Sequence, residues 1–243
     1  MYMKKIKHIY IFFLIISNFH YASANENFNK WKNDFKIIAK NQGVSLITLN
    51  EYIDKSKFLP DVIKYDRYQP EFYEDTKTYI SKRTSNKKFK IGHKIYNKNI
   101  HKINKISKKY NVDKSLLLSL MGIETNFGNY LGKMDIISSL ATLSFDKRRS
   151  EFFTKELITL LKLIDNKVID PNNLYGSWAG AFGNFQFMPS TIKNYAIDYD
   201  NDEKISLKKT EDSFASAANY LNKLGWNNSK PCFFKVKLKS NIP

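Results

Sequence analysis

The stretch "LLLSLMGIETNFG", Leu116 to Gly128, constrains the fold of this chain more than any other segment. Leu116, Leu117, Leu118, Leu120, Met121 and Ile123 cover most of the circumference of a helix, and a helix apolar on all sides has to be buried. Asp113 is placed to cap its N-terminus, and Gly128 lies past its C-terminal end. At the end of the run stands a single carboxylate, Glu124, one turn after Leu120 and Met121 and two turns after Leu117, hence on the same face. A carboxylate emerging at the edge of a core is partly shielded from water, which disfavours its charged form and raises its pKa. That is the condition for a general acid at neutral pH. From this helix alone, a glutamate fraying into solvent is the competing reading.

Further helices are legible around it. Phe28, Trp31, Phe35 and Ile38 recur at helical spacing over residues 27–41, and Ser45 is placed to cap a second helix from Leu46 to Ser56. Pro60 and Pro70 bracket the aromatic stretch "DVIKYDRYQPEF", which reads as irregular. The basic segment "YISKRTSNKKFKIGHKIYNKN" reads as a strand or loop leading into a helix near Ile100 to Tyr110. After Glu124, helices are expected from Ile136 to Leu143 and across "SEFFTKELITLLKLIDN", where Phe152, Leu157, Leu160, Leu161 and Ile164 share a face. No repeat and no low-complexity linker interrupts the chain. The organisation expected is a small N-terminal lobe over residues 25–110 and a second lobe over 111–243, without a flexible hinge.

The segment "YGSWAGAFGNFQFMPST" has a different character. Gly176, Gly180 and Gly183 permit close backbone approaches, and Pro189 suits the first turn of a following helix. Trp178, Phe182, Phe185 and Phe187 offer flat apolar faces of the kind sugars stack on. Ser177, Asn184 and Gln186 add polar groups at close spacing, a mixture that favours a ligand groove over a buried turn.

The N-terminus fixes the compartment. Lys4, Lys5 and Lys7, an apolar run from Ile9 to Ile16 and the small-x-small triplet Ala22-Ser23-Ala24 form a secretory signal, residues 1–24. The run is far short of the roughly 20 residues a spanning helix needs. No Cys stands there to be lipidated, so a periplasmic protein starting near Asn25 is expected. The one Cys, Cys232, permits no intramolecular disulfide. The formal net charge is +17, and removing the signal's three lysines leaves +14. Outside the cytoplasm such a charge draws cell-wall polymer or an anionic lipid surface, whereas nucleic acid fits an exported protein poorly; a broad compositional bias toward Lys, Asn, Ile, Tyr and Phe accounts for it equally, so charge alone decides little.

Taken together, "GIETNFG" and "GSWAGAFGNFQFMPS" resemble the lytic murein transglycosylases of the B type, as do "LATLSFDKRR" and "VIKYDRYQPEF". The similarity runs in the family's order from about Phe28 to Trp226. It implies a lysozyme-like α+β domain, mostly helical, that cleaves the β-1,4 bond between N-acetylmuramic acid and N-acetylglucosamine in peptidoglycan. By this resemblance Glu124 is the catalytic acid and base, and the muramic acid's own 6-hydroxyl closes onto C1 to leave a 1,6-anhydro end. No cofactor is required. Hydrolytic glycosidases usually need two carboxylates. The nearest companion, Asp135, sits where a helix N-cap is expected, and one carboxylate suffices if the substrate supplies its own nucleophile.

Other positions carry over singly. Ser177 and Gln186 look like groups that hold the substrate and orient the acid; Tyr79, 45 residues before Glu124, and Tyr220 look like cleft tyrosines. Arg148 and Arg149 match the family's paired arginines, suited to the carboxylates of the muramic acid and its peptide, with a solvated helix-start charge as the competing reading; Asn219 is a sugar hydrogen bonder or simply a helix residue. A monomer is expected, with peripheral attachment to membrane or a cell-wall complex as candidate associations.

Three departures from the family stand out. Phe185 occupies a loop position where Gly is frequent. In "DYDNDEKISL", Asp198, Asp200 and Asp202 hold positions 1, 3 and 5 of a calcium-type loop, with Asp212 as a further candidate ligand. Glu203 stands where that loop wants Gly, however, and Lys209 where it wants a bidentate Glu. Some of the family hold a metal there, so a calcium-filled and an ion-free loop are both open. Relatives usually continue for some tens of residues past "YLNKLGW", adding groups to the cleft, whereas this sequence ends at Pro243. The competing functions are a hydrolytic lysozyme and a peptidoglycan-binding protein without turnover.

Overall fold

In the computed structural model, residues 26–68, 74–172, 174–231, 235 and 237 are described. The expected signal segment, residues 1–24, Cys232 and the stretch 69–73 lie outside them. Helix α1 covers residues 26–41 and buries Phe28, Phe35 and Ala39. Ile38, expected inward, is 49% exposed, because the buried stripe drifts to Ala39 in the last turn. Ser45 caps α2 (Leu46–Thr48), its side chain accepting from the Thr48 amide, and the helix widens into a π turn over Leu49–Ile53.

Two segments depart from expectation. The stretch between the prolines begins as helix α3 (Pro60–Arg67), with Pro60 in the first turn, where a missing N–H costs nothing. The basic segment is two helices, α4 (Thr76–Arg83) and α5 (Asn86–Lys98), separated by Thr84 and Ser85. Its starts are set by Asp75, which accepts from Thr78 N at 3.0 Å, and Ser85, which accepts from Lys88 N at 3.4 Å. Lysine is a good helix former, so a cap is enough to start each helix.

Helix α6 (Ile100–Tyr110) follows, with Ile103 and Ile106 buried, and then α7 (Lys114–Thr125). Asp113 caps α7 as expected, its Oδ1 accepting from Ser115 N at 2.7 Å. Burial of α7 is less complete than its apolar run suggests. Leu117, Met121, Gly122 and Thr125 are buried, whereas Ile123 is 49% exposed. The all-round burial belongs instead to α8 (Ile136–Phe145), buried from Ile136 to Ser144 and packed on α9 (Ser150–Asp165).

A short antiparallel pair, β1 (Met134–Asp135) and β2 (Tyr175–Gly176), joins the two segments that flank α8 and α9, with Met134 opposite Gly176. Helix α10 (Pro189–Tyr195) packs on α9, and α11 (Thr210–Lys223) on α6. The hydrophobic core runs continuously from Phe28 and Phe35 through Ile103, Leu140 and Leu160 to Phe214. The fold is therefore α+β with a minimal sheet, and its function is to hold the end of α7 against the loop after β2.

Candidate active site

Glu124 occupies the last turn of α7. The helix then stops abruptly, with Asn126, Phe127 and Gly128 all at positive φ (50°, 60° and 79°). Asparagine and glycine accept that region readily, whereas phenylalanine is strained there and needs compensation. The Phe127 ring provides it by wedging between α5 and α7 against Gly92 and Gly122. A Cβ on Gly122 would lie 2.7 Å from Phe127 Cζ. This explains the glycine and the phenylalanine of "GIETNF" by shape, a role that composition did not reveal.

Among the described residues, nothing hydrogen-bonds the Glu124 carboxyl. Desolvation is the cause that raises its pKa above the ordinary glutamate value. The residue as a whole is exposed at the end of α7. An accessible carboxyl that favours its proton can transfer that proton to a bound ligand.

The neighbour Thr125 is buried, and its hydroxyl ties α7 to the glycine-rich loop. Oγ1 lies 2.9 Å from the Asn184 carbonyl and 3.1 Å from that of Met121, and it accepts from Gly128 N at 3.0 Å. Asn184 is itself buried, its amide donating to Lys208 O at 3.1 Å and Ser213 Oγ at 3.0 Å. Gly183, at φ +80°, lets the loop pass so close to Leu207 that a Cβ would meet Leu207 Cβ at 2.5 Å.

Within that loop, Ser177 Oγ accepts from Ala181 N at 3.0 Å, closing the turn. Phe182 and Phe187 pair through their backbones, forming a tight bend in which Gln186 takes φ +50°. The Gln186 amide donates to Gly183 O at 3.0 Å and Leu131 O at 3.4 Å, linking the bend to the segment after α7. Ser177, Gln186 and the end of α7 thus belong to one connected unit.

Several residues expected at the ligand have other occupations. Phe182, Phe185 and Phe187 are 4%, 8% and 8% exposed, so they are core and not stacking platforms. Phe185 packs edge-on against Phe214, ring centroids 5.2 Å apart, so its side chain points away from the loop's outer face. Only Trp178 of the four aromatics keeps partial exposure. Arg148 and Arg149 do not present free guanidinium groups. Both grip Asp66 of α3, which is 1% exposed; Arg148 Nη1 lies 2.8 Å from Oδ2, and Arg149 bonds Oδ1. Arg149 also stacks over Phe153, 4.8 Å from the ring centroid. A buried carboxylate demands such partners, and its presence on α3 was not legible from the arginines.

Asn219 donates to Tyr195 O at 2.8 Å, and Tyr220 packs edge-on against Phe187 and Tyr195. Tyr79, on α4, has Arg83 over its ring at 3.6 Å. Among the described residues, no hydrogen bond or ring contact links Tyr79 to Glu124, Ser177 or Gln186. Arg83 borders a cavity of about 460 Å³ lined also by Lys88, Phe89, Tyr96, Lys114 and Phe127. Ser115, Ser119 and Gly122 present α7 to that cavity, the helix face opposite Glu124, so it is distinct from the carboxyl's surroundings. Asp135 is the N-cap of α8, accepting from Ser138 N at 2.7 Å, as expected. A carboxylate missed in sequence, Glu156, is 4% exposed and accepts from Ser190 N at 2.8 Å at the start of α10.

The fold and the end of α7 define a lysozyme-like protein carrying a lone, partly desolvated acid. Its family is the transglycosylase SLT domain, whose description matches residues 27–243; the chain belongs to that family, as its motifs implied. It is 42% identical over 125 residues to the membrane-bound lytic murein transglycosylase B of Escherichia coli, covering 51% of this chain and 35% of that protein. The crystal structure of SltB3 from Pseudomonas aeruginosa with NAG-NAM-pentapeptide superposes with a TM-score of 0.82 at 31% identity, covering 88% of this chain and 58% of SltB3. The E. coli lytic transglycosylase Slt35 in complex with calcium superposes with a TM-score of 0.72 at 32% identity, covering 85% and 65%. The chain therefore spans about a third to two thirds of the length of these relatives.

Proposed function

We propose that this chain is an exported lytic transglycosylase acting on the glycan strands of peptidoglycan. Glu124 donates its proton to the oxygen of the β-1,4 bond leaving C1 of N-acetylmuramic acid. The resulting carboxylate then takes the proton of the muramic acid's 6-hydroxyl as that oxygen bonds to C1. The products are an N-acetylglucosamine chain end and a 1,6-anhydro-muramic acid end, and Glu124 regains its proton. Every proton moved belongs to Glu124 or the sugar, so the step needs no cofactor.

The observation that carries this reading is the contrast between Glu124 and Asp135, eleven residues on in sequence. Among the described residues no group pairs with Glu124, and desolvation raises its pKa above that of an ordinary glutamate, the direction a general acid needs. Asp135 is engaged as a helix cap, so the two-carboxylate arrangement of a hydrolase lacks its obvious second member. The carboxyl-bearing substrate and the chain's net charge of +17 are complementary in sign. Ser177 and Gln186 are proposed to hold the sugar, and export through residues 1–24 is proposed to place the chain in the periplasm. Among the described residues no helix is long and apolar enough to cross a membrane.

The test is digestion of purified sacculi with residues 25–243 beside the Glu124→Gln variant, with soluble products read by mass spectrometry. Anhydro-muropeptides from the wild type alone are expected. Reducing ends would instead mean that water attacks, and sacculus binding without products would mean a binding protein.

A further inference from the structure

The cavity between α5 and α7 lies on the face of α7 opposite Glu124 and takes no part in the acid's surroundings. Its volume of about 460 Å³ is within the usual range of small-ligand pockets. Phe127 forms the floor, its ring held against Gly92 of one helix and Gly122 of the other. Phe89 and Leu118 stand on the two walls, and Phe89 and Ile123 are 67% and 49% exposed. Apolar side chains gathered around one concavity, rather than scattered over the surface, mark a place that a ligand covers.

The charges around it have one sign. Arg83, Lys88 and Lys114 line the cavity, and among the described residues no carboxylate does. Lys88 Nζ lies 3.4 Å from Gly122 O, whereas Lys114 donates to the Tyr96 hydroxyl at 2.9 Å, so the two lysines mark opposite ends of a groove about 12 Å long on α7. Among the described residues neither lysine has a carboxylate partner, while Arg83 is paired with Glu74. From Thr76 to Val112 the sequence holds twelve lysines and arginines and no acid, out of a net +17 for the whole chain. A general bias toward lysine would have spread that charge evenly. Acids gather elsewhere, as in Asp198, Asp200 and Asp212, whose carboxylate oxygens lie within 4.8 Å of one another before and in the first turn of α11.

These walls select the chemistry of the occupant. Beyond the cations, the polar side chains lining the cavity are His93 and a few serine and threonine hydroxyls. They are too few to pair the backbone of a bound peptide or the hydroxyls of a sugar, and burying such groups unpaired is costly. A hydrocarbon chain makes no such demand. A second copy of the basic chain would bring like charge, as would residues 232–243, which carry Lys235, Lys237 and Lys239 and no acid.

We propose that this cavity is a binding site for a single-chain anionic amphiphile of the alkyl phosphate type. The head group is held by Lys88 and Arg83 beside the start of α5, where the helix N-terminus also favours negative charge. The alkyl chain lies over the Phe127 ring, between Phe89 and Leu118, and covers the apolar surface left open there.

The experiment is calorimetric titration of residues 25–243, which contain every described element, with decyl phosphate, decanol and inorganic phosphate, all as free molecules below the micellar range. One decyl phosphate per chain is expected. Decanol should bind at least roughly tenfold more weakly, because a hydrogen bond to a charged group is lost, and inorganic phosphate should give no measurable heat. Lys88→Glu should weaken decyl phosphate by a similar factor and leave decanol unchanged. Ser119→Trp, at an exposed position on the cavity's α7 side, should fill the space and abolish binding with Tm unchanged; should it melt lower, Lys88→Glu decides. Glu124→Gln should bind decyl phosphate as the wild type does, which keeps this site separate from strand cleavage. Decanol or inorganic phosphate binding as tightly as decyl phosphate would overturn the proposal, as would undiminished binding by Lys88→Glu or loss of binding in Glu124→Gln. Binding to phosphatidylglycerol vesicles without binding of decyl phosphate would overturn it too, in favour of a membrane surface.

Discussion

The hydroxyl of Thr125 lies 2.9 Å from the main-chain carbonyl of Asn184, 59 residues away, and is the bond that docks the end of α7 onto the glycine-rich loop. Since Glu124 is the preceding residue, the same bond fixes the backbone that carries its carboxyl. Thr125→Val keeps the shape and removes both the donor to Asn184 and the acceptor for Gly128 N. Leaving buried polar groups unmatched should cost about 1–3 kcal/mol in denaturant melts. With the acid loosened, turnover on sacculi should fall by about tenfold to a hundredfold. Thr125→Ser, which keeps the hydroxyl, should retain most of both.

Glu124 itself predicts an unusual dependence on pH. Desolvation holds its folded pKa above the unfolded value of about 4.3, so the folded state binds the proton more tightly than the unfolded chain. Ionisation then costs stability as pH rises through the unfolded and then the folded pKa. The cost is complete once the pH has passed the folded pKa and vanishes below the unfolded value. Glu124→Gln should therefore be at least as stable as the wild type at pH 7 while losing strand cleavage, and the two should converge in melts below about pH 4. A variant clearly less stable at pH 7 would mean that the carboxylate has a favourable partner. In the active wild type, loss of the acid on the alkaline side should set in above the ordinary glutamate range.

The arginine pair makes a separate prediction about stability. Removing one guanidinium leaves Asp66 with the other, whereas Arg148→Ala with Arg149→Ala strands a buried carboxylate on α3. Breaking a buried pair typically costs about 3–5 kcal/mol, and the lower end applies here because both arginines are partly exposed. Adding Asp66→Asn to the double variant removes the buried charge and should restore much of the loss. A double variant as stable as the wild type, yet weak in binding muropeptides, would return the arginines to the substrate.

These outcomes separate what was legible in the sequence from what was not. Helix caps were, because a cap is a local device: Ser45, Asp113 and Asp135 all accept from amides two or three residues ahead. Helix α6 and the Pro189 start of α10 came out as read, for the same reason. Long-range commitments were hidden. Nothing near Ser45 announces that its amide and hydroxyl both donate to Asp165, 120 residues away, and nothing near Arg148 announces Asp66. The phenylalanines of the glycine-rich loop were misplaced because an aromatic face suits a sugar and a core equally, and only tertiary packing on Phe214 decides between them. Helices α4 and α5 were missed because their sequence is lysine-dense and only Gly92 of the two is buried, although Asp75 and Ser85 stood in plain view as caps.

The fit of Phe127 between Gly92 and Gly122 gives the last prediction. In Gly122→Ala the new methyl would sit 2.7 Å from Cζ of Phe127, closer than real Cβ contacts come, and 3.1 Å from both Cε atoms, tighter than most. Either the ring leaves its slot or α5 and α7 part. An alanine is otherwise welcome inside a helix, where it gains up to about 1 kcal/mol over glycine. Overpacking of this kind costs about 1–3 kcal/mol, so the net effect should be a lower denaturant midpoint despite the better helix former. Phe127 holds a left-handed backbone immediately before Gly128, and displacing its ring releases the turn that ends α7 beside Glu124. Strand cleavage should therefore fall along with stability. Shortening the ring in Gly122→Ala with Phe127→Leu relieves the clash and should return part of the stability. If the single Gly122→Ala variant proves as stable and as active as the wild type, the wedge is not what shapes the end of α7.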